Sequence, residues 1–239
     1  GSIREIPGIL GMVLEAKQAG FIACIVPRGN AEEGAMIQGI DVYGASHLTE
    51  VIAHLTSGKQ LQKEAINIEE KLSESGKNGY LDFSDIRGQA MVKRAAEIAA
   101  AGMHNLLISG PPGAGKTMIA RRIPGILPPL SLEEALEVSQ IHSVAGILPA
   151  SGIVAQRPFR MPHHTISAVA LAGGGKVPRP GEISLAHRGV LYLDELPEFR
   201  NETLEILRQP MEEGEVRISR NSHPRRAGRS SVCRRHSRR

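Results

Sequence analysis

The stretch GPPGAGKT at residues 110–117 sets Gly110, Gly115, Lys116 and Thr117 in the order G-x-x-x-x-G-K-[ST]. In the loop of Gly110, Pro111, Pro112, Gly113, Ala114 and Gly115, the small non-proline residues let backbone N–H groups curl around phosphate oxygens, and a following helix would present its positive end at Lys116–Met118. In this chemistry the Lys116 ammonium reaches the β- and γ-phosphates and the Thr117 hydroxyl ligates Mg²⁺. A second element has to supply carboxylates. GVLYLDE (189–195) does so: Asp194 leaves an apolar run where a Mg²⁺-side carboxylate is needed, and Glu195 beside it is placed to polarise an attacking water as general base. Together the two segments point to binding and hydrolysis of a nucleoside triphosphate, ATP with Mg²⁺.

Two strands and a helix are needed to position these groups. The apolar run NLLIS (105–109) predicts the strand leading into the loop, and a helix ended by Pro124 should follow it. The continuous apolar character of 189–193 is that of a parallel strand buried on both faces. Alanine-rich GQAMVKRAAEIAAAG (88–102) predicts a helix before the first strand. Ser131 and Glu134 form a capping box for LEEALEVSQIHSVAGIL. Upstream, Pro7 suits the start of a helix running to about Ala19, stopped at Gly20, and FIACIV and DVYG predict short strands. Asn30 and Glu33 resemble a capping box, and Ser46 can cap HLTEVIAHL, with Leu48, Val51, Ile52 and Leu55 on one face. Residues 56–79 become polar, with Gly-Ser punctuation. This gives an αβ unit at 1–57, a linker at 58–79 and a second α/β unit from 80 to 220.

Composition limits the alternatives. The 239 residues carry a net charge of +4, but seven of the 29 basic residues lie in 221–239, which has no acid; residues 1–220 therefore hold 22 basic and 25 acidic groups, net −3. The basicity belongs to the tail, which has neither period nor apolar content to pack a core. Its abrupt onset after GEVRISR reads as a shifted reading frame or an expression artefact, so it carries no argument for nucleic-acid binding. Aromatics make up 3% of the chain and tryptophan is absent, which disfavours base-stacking platforms. Cys24 and Cys233 form no C-x-x-C pair, so neither a disulfide scaffold nor a zinc ribbon is expected, and a cytoplasmic setting fits. No run is long and apolar enough for a membrane span.

RPFRMPHHTISAVALAGGG, PRPGEISLAHRGVLYLDELPEF and LEILRQPMEEGEVRISR closely resemble the YifB/ComM family of magnesium-chelatase-like AAA+ ATPases, over about residues 1–220. The resemblance implies a P-loop AAA+ parallel sheet with helices on both faces. It also implies a hexameric ring with ATP between subunits and, through the ComM members, DNA branch migration in natural transformation. DFSDIRGQ (82–89) resembles the segment that packs near the adenine, which makes Ile86 and Gly88 base-side contacts. Residues 1–57 resemble the second half of a Lon-protease-like, ribosomal S5-type domain. There IPGIL puts Leu10 where Lon has its catalytic lysine, so proteolysis is not expected. Family members continue past ISR into a sensor asparagine, an arginine finger and a helical lid, which residues 221–239 do not resemble. A chelatase-type ATPase acting on a metal-insertion partner, and an ATP-binding chain without turnover, are the competing readings.

Other residues have plainer readings. His163 and His164 should point to opposite faces of an extended segment with no third ligand nearby, which favours a structural or nucleotide-sensing role over a metal site. AGGGKVPRPG (172–181) reads as a hairpin tip, where Lys176 and Arg179 could touch a DNA backbone in a ring pore. Arg208 and Arg220 could act across a subunit interface or simply face solvent.

Overall fold

A computed structural model of the chain describes residues 1–58, 60–76, 81–175 and 178–213. It divides into two compact units, one built from residues 1–77 and 131–155 and the other from 78–130 and 156–239. The helix after Ser131, placed by sequence in the 80–220 segment, thus groups with the N-terminal residues. Among the described residues no helix is long and apolar enough to cross a membrane.

In the first unit, helix α1 (Ile9–Gln18) is followed by strand β1 (Ala23–Pro27), the short helix α2 (Ala31–Ala35), β2 (Asp41–Ala45), α3 (Leu48–Thr56) and α4 (Ile68–Gly76). β1 and β2 pair in parallel, with Cys24 opposite Val42 and Val26 opposite Gly44. Helix α8 (Leu132–Ala145) packs on α1, and Ile9, Leu10, Val13, Val42, Ala135 and Val138 are all buried. The Ser131–Glu134 capping box forms in both directions. The one expected at Asn30 does not. Glu33 is drawn instead to the start of α1, where its Oε1 accepts the Leu10 N–H at 3.1 Å and the Ser143 hydroxyl, while Asn30 Nδ2 donates to its Oε2 at 3.0 Å. A carboxylate at a helix start satisfies an otherwise orphaned donor and complements the dipole. Nor does Ser46 cap α3: the helix begins after His47, with no side-chain cap. Its apolar face is largely open, with Leu48, Ile52 and Leu55 all more than half exposed. Periodicity reports amphipathicity, not the surface that covers it.

The second unit runs through α5 (Ala90–Gly102), α6 (Lys116–Ala120), α7 (Ile123–Ile126), β3 (Phe159–Arg160), α9 (Ala168–Ala172), β4 (Gly173–Gly174), β5 (Arg179–Pro180), α10 (Glu182–Leu185), β6 (Val190–Leu191) and α11 (Asn201–Glu213). β3 and β6 pair in parallel, and β4 and β5 in antiparallel, so the second pair forms the expected hairpin around the tip. Lys176 lies outside the described residues, as do Arg220 and the 221–239 tail.

The architecture is therefore mixed α/β with parallel strand pairs, and two expectations change. Residues 105–109 make no strand among the described residues: Leu107 is 80% exposed, and only Ile108 reaches the cluster of Phe83, Ile86, Ala96 and Ile119. Apolar character marks a segment that can pair, but a strand exists only through its ladder, and β6 pairs with β3. The second change is that the helix after the glycine loop does not run unbroken to Pro124. It is a five-residue helix, then Arg121–Arg122, then α7 with Pro124 in its first turn.

Candidate nucleotide site

All described groups of the site lie in the second unit. The loop is shaped by Gly113 and Gly115, with φ of 77° and 79°, a region where a Cβ is strained. Gly110, Pro111 and Pro112 are exposed, Ala114 is half-buried with its N–H donating to Pro111 O at 3.3 Å, and Met118 is exposed. Gln89 Nε2 donates to the Ala114 carbonyl at 3.2 Å and so braces the loop from the start of α5. Lys116 Nζ folds back onto the Gly110 and Pro111 carbonyls at 2.9 and 3.1 Å, holding the ammonium at the mouth of the loop.

The loop and the acidic strand meet. Thr117 Oγ1 donates to Asp194 Oδ2 at 3.1 Å across 77 positions of sequence. Asp194 is carried there by β6, whose ladder with β3 continues as the Tyr192 N–H donates to Arg160 O at 2.8 Å. The approach of these strands requires Gly189, where a Cβ would overlap the Pro158 carbonyl. Arg157, only 8% exposed, ties the same region together by donating to the Pro128 and Arg188 carbonyls. Arg160 forms a two-pronged ion pair with Glu182 at 2.6 and 2.7 Å, and this bonding raises the guanidinium pKa further.

The other Asp194 oxygen, Oδ1, accepts the Tyr192 hydroxyl at 3.1 Å and the Glu195 N–H at 3.1 Å. Burial pushes the Tyr192 phenol up from its ordinary value, which keeps it a donor. Glu195 sits at φ 53°, a left-handed conformation that costs a non-glycine residue about 1 kcal/mol or more and clusters at functional sites. Its exposed carboxylate lies 3.2 Å from His164 Nδ1. His163 and His164 do not diverge: a turn in which the Ile166 N–H donates to His163 O brings their ring centroids to 4.1 Å. Among the described residues no three side chains gather as a metal site of that kind.

The 82–88 segment lies beside this loop. Asp82 caps the 3₁₀ turn 83–85 by accepting the Ser84 N–H at 2.8 Å, and Arg122 donates to Asp82 O at 2.9 Å and pairs with Asp85 at 3.1 Å. Ile86 is 1% exposed and belongs to the core, while Gly88, φ 69°, is exposed. The Thr117 hydroxyl and Asp194 carboxylate present paired hard oxygens, the donor type Mg²⁺ prefers, so the residues present fit that ion.

Comparison with known proteins gives the family of the chain. The family described as "Magnesium chelatase, subunit ChlI" matches residues 82–226. The chain belongs to the magnesium chelatase ChlI family. Its ChlI-family relatives include YifB of Salmonella typhimurium, 46% identical over 220 residues, covering 92% of this chain and 42% of that protein. Competence protein ComM of Haemophilus influenzae is 44% identical over 221 residues, 92% of this chain and 43% of that one. The magnesium-chelatase 67 kDa subunit of Heliobacterium mobile is 32% identical over 145 residues, 48% of this chain and 22% of that subunit. The chain thus stands with the YifB and ComM members and spans less than half their length.

Sequence reasoning missed Gln89, Arg122 and Tyr192. For Tyr192 a signal existed: in an apolar run read as a strand, a hydroxyl-bearing residue two positions before Asp194 falls on the same face by the period of two. Gln89 and Arg122 carry no such signal, because their partners, the Ala114 and Asp82 carbonyls and the Asp85 carboxylate, are brought near only by folding.

Proposed function

We propose that this chain carries the Mg²⁺-dependent ATP-binding and ATP-hydrolysing core of an AAA+ motor that assembles as a homo-hexameric ring and acts on DNA. The observation that carries the nucleotide reading is the Thr117–Asp194 hydrogen bond of 3.1 Å, which joins the glycine loop to the acidic strand. In this reading the loop N–H groups of Gly113, Ala114 and Gly115 hold the phosphates, and Lys116 leaves the loop carbonyls for the β- and γ-oxygens. Thr117 and Asp194 hold Mg²⁺, which when bound neutralises phosphate charge. Glu195 takes a proton from the attacking water, and His164 orients it. Ile86 contributes its backbone and Gly88 its open face on the adenine side. Residues 1–57 read as part of a Lon-like domain, 58–79 as a linker and 80–220 as the ATPase core.

The DNA reading is supported by the match to competence protein ComM, which covers 92% of this chain, against 48% for the magnesium-chelatase subunit. Titration of Mg·ATP into the chain, beside Lys116→Ala, tests the nucleotide reading: saturable binding lost in the variant is expected, and no binding by either protein overturns it. ATP turnover measured with and without DNA then tests the motor. Stimulation by DNA is expected. Stimulation only by a metal-insertion partner would favour the chelatase-type activity, and binding without turnover would reduce the role to an ATP-binding chain.

A further inference from the structure

We propose that Tyr192 is the positioning residue that sets which oxygen of Asp194 faces Mg²⁺, and so couples metal to nucleotide affinity. This rests on the nucleotide reading above. The Asp194 carboxylate is held by three donors on two sides. Tyr192 O–H and Glu195 N–H both occupy Oδ1, at 3.1 Å each, and the Thr117 hydroxyl meets Oδ2 at 3.1 Å. The backbone N–H fixes where the carboxylate starts, but it is a neighbour's donor and moves with the same turn. The phenol is the donor anchored elsewhere: its ring lies on the Phe159 ring at a centroid distance of 6.2 Å, and its own N–H is tied to Arg160 O at 2.8 Å. Tyr192 therefore fixes the rotation of Asp194 relative to the β3–β6 pair.

A carboxylate with one oxygen already engaged offers the other singly. Mg²⁺ demands near-octahedral geometry and takes carboxylates in that way, whereas larger ions accept both oxygens of one group. Outer partners of metal ligands commonly contribute tenfold to a hundredfold in metal affinity. The phenol also meets the Thr117 side chain, the second group proposed to hold Mg²⁺, so its removal should act on the metal site and leave metal-free nucleotide binding alone.

The test measures ATP affinity of the chain with and without Mg²⁺, for the parent, Tyr192→Phe and Asp194→Asn. Phenylalanine keeps the ring and its packing on Phe159. The expected result is that the factor by which Mg²⁺ tightens ATP binding falls about tenfold in Tyr192→Phe, with metal-free affinity unchanged, and further in Asp194→Asn. An unchanged Mg²⁺ factor in Tyr192→Phe, while Asp194→Asn loses it, overturns the proposal and leaves the nucleotide reading standing. Equal loss of metal-free and Mg²⁺-supported affinity in Tyr192→Phe also overturns it, because the phenol would then serve packing alone. If the parent binds no ATP in either condition, the nucleotide reading fails and this inference with it.

Discussion

His164 Nδ1 stands 3.2 Å from Glu195 Oε2, so the group assigned as general base is held by a histidine 31 positions earlier in the chain. The His164 ring also lies 4.1 Å from the His163 ring and 6.4 Å from that of buried Phe199, nearly perpendicular to it. In the proposed mechanism the 3.2 Å contact lets His164 orient Glu195.

Replacing His164 with alanine should lower single-turnover ATP hydrolysis about tenfold to a hundredfold, the worth of a hydrogen bond to a charged group. ATP affinity should stay unchanged, and His164→Gln should recover part of the rate because its amide can still donate. Rapid-quench kinetics beside equilibrium binding separate the two quantities. A parallel fall in affinity and rate would place His164 in the fold and not in the chemistry.

Lys116→Ala should abolish saturable ATP binding while leaving thermal stability within about 0.5 kcal/mol of the parent. The Lys116 ammonium bonds only to two exposed loop carbonyls, which water can satisfy in its absence. Calorimetric titration and a thermal melt on the same preparation check both parts.

Gly189→Ala should destabilise the chain by about 1–3 kcal/mol, the usual cost of overpacking. The added Cβ must displace the Pro158 backbone and with it the β3–β6 ladder that carries Asp194. Urea unfolding should show a lower midpoint, and Mg²⁺-supported ATP binding should fall along with it. An unshifted midpoint would mean that the two strands can separate without consequence.

Asp82 gives a pH signature. The Ser84 N–H holds its carboxyl below the usual range, helped by the Ser84 side chain and the positive charge of Arg122. A carboxyl with a depressed folded pKa adds stability that is complete above its unfolded value and is lost as pH falls through the folded one. Asp82→Asn should therefore narrow the gap between the parent's stability at neutral pH and its stability below pH about 4. Melting temperatures across that range measure it, and curves that stay parallel would count against the assignment.

Much of the site was legible in the sequence because it rests on short-range chemistry. The order of Gly110, Gly115, Lys116 and Thr117 marks a phosphate-loop pattern, and the positive φ at Gly113 and Gly115 follows from glycine's own backbone freedom. The apolar run ending in Asp194 and Glu195 marks a strand with acids at its end. The capping box at Ser131 and Glu134 formed because both partners lie within one turn. Asn30 and Glu33 have the same spacing, yet the box failed there because the donors at the start of α1 and the Ser143 hydroxyl compete for the same carboxylate.

What the tertiary structure alone decided are the relationships between segments distant in the chain. Which strand pairs with β6, which donors hold Asp194, and that His164 reaches Glu195 all depend on hydrogen bonds whose partners no local pattern specifies. The NLLIS run shows the limit most clearly: its residues favour a strand, but favour is not a ladder, and a strand is defined by the neighbour that accepts its hydrogen bonds. Residue types and spacing thus determined the chemistry available to this protein, and folding determined which of those groups meet.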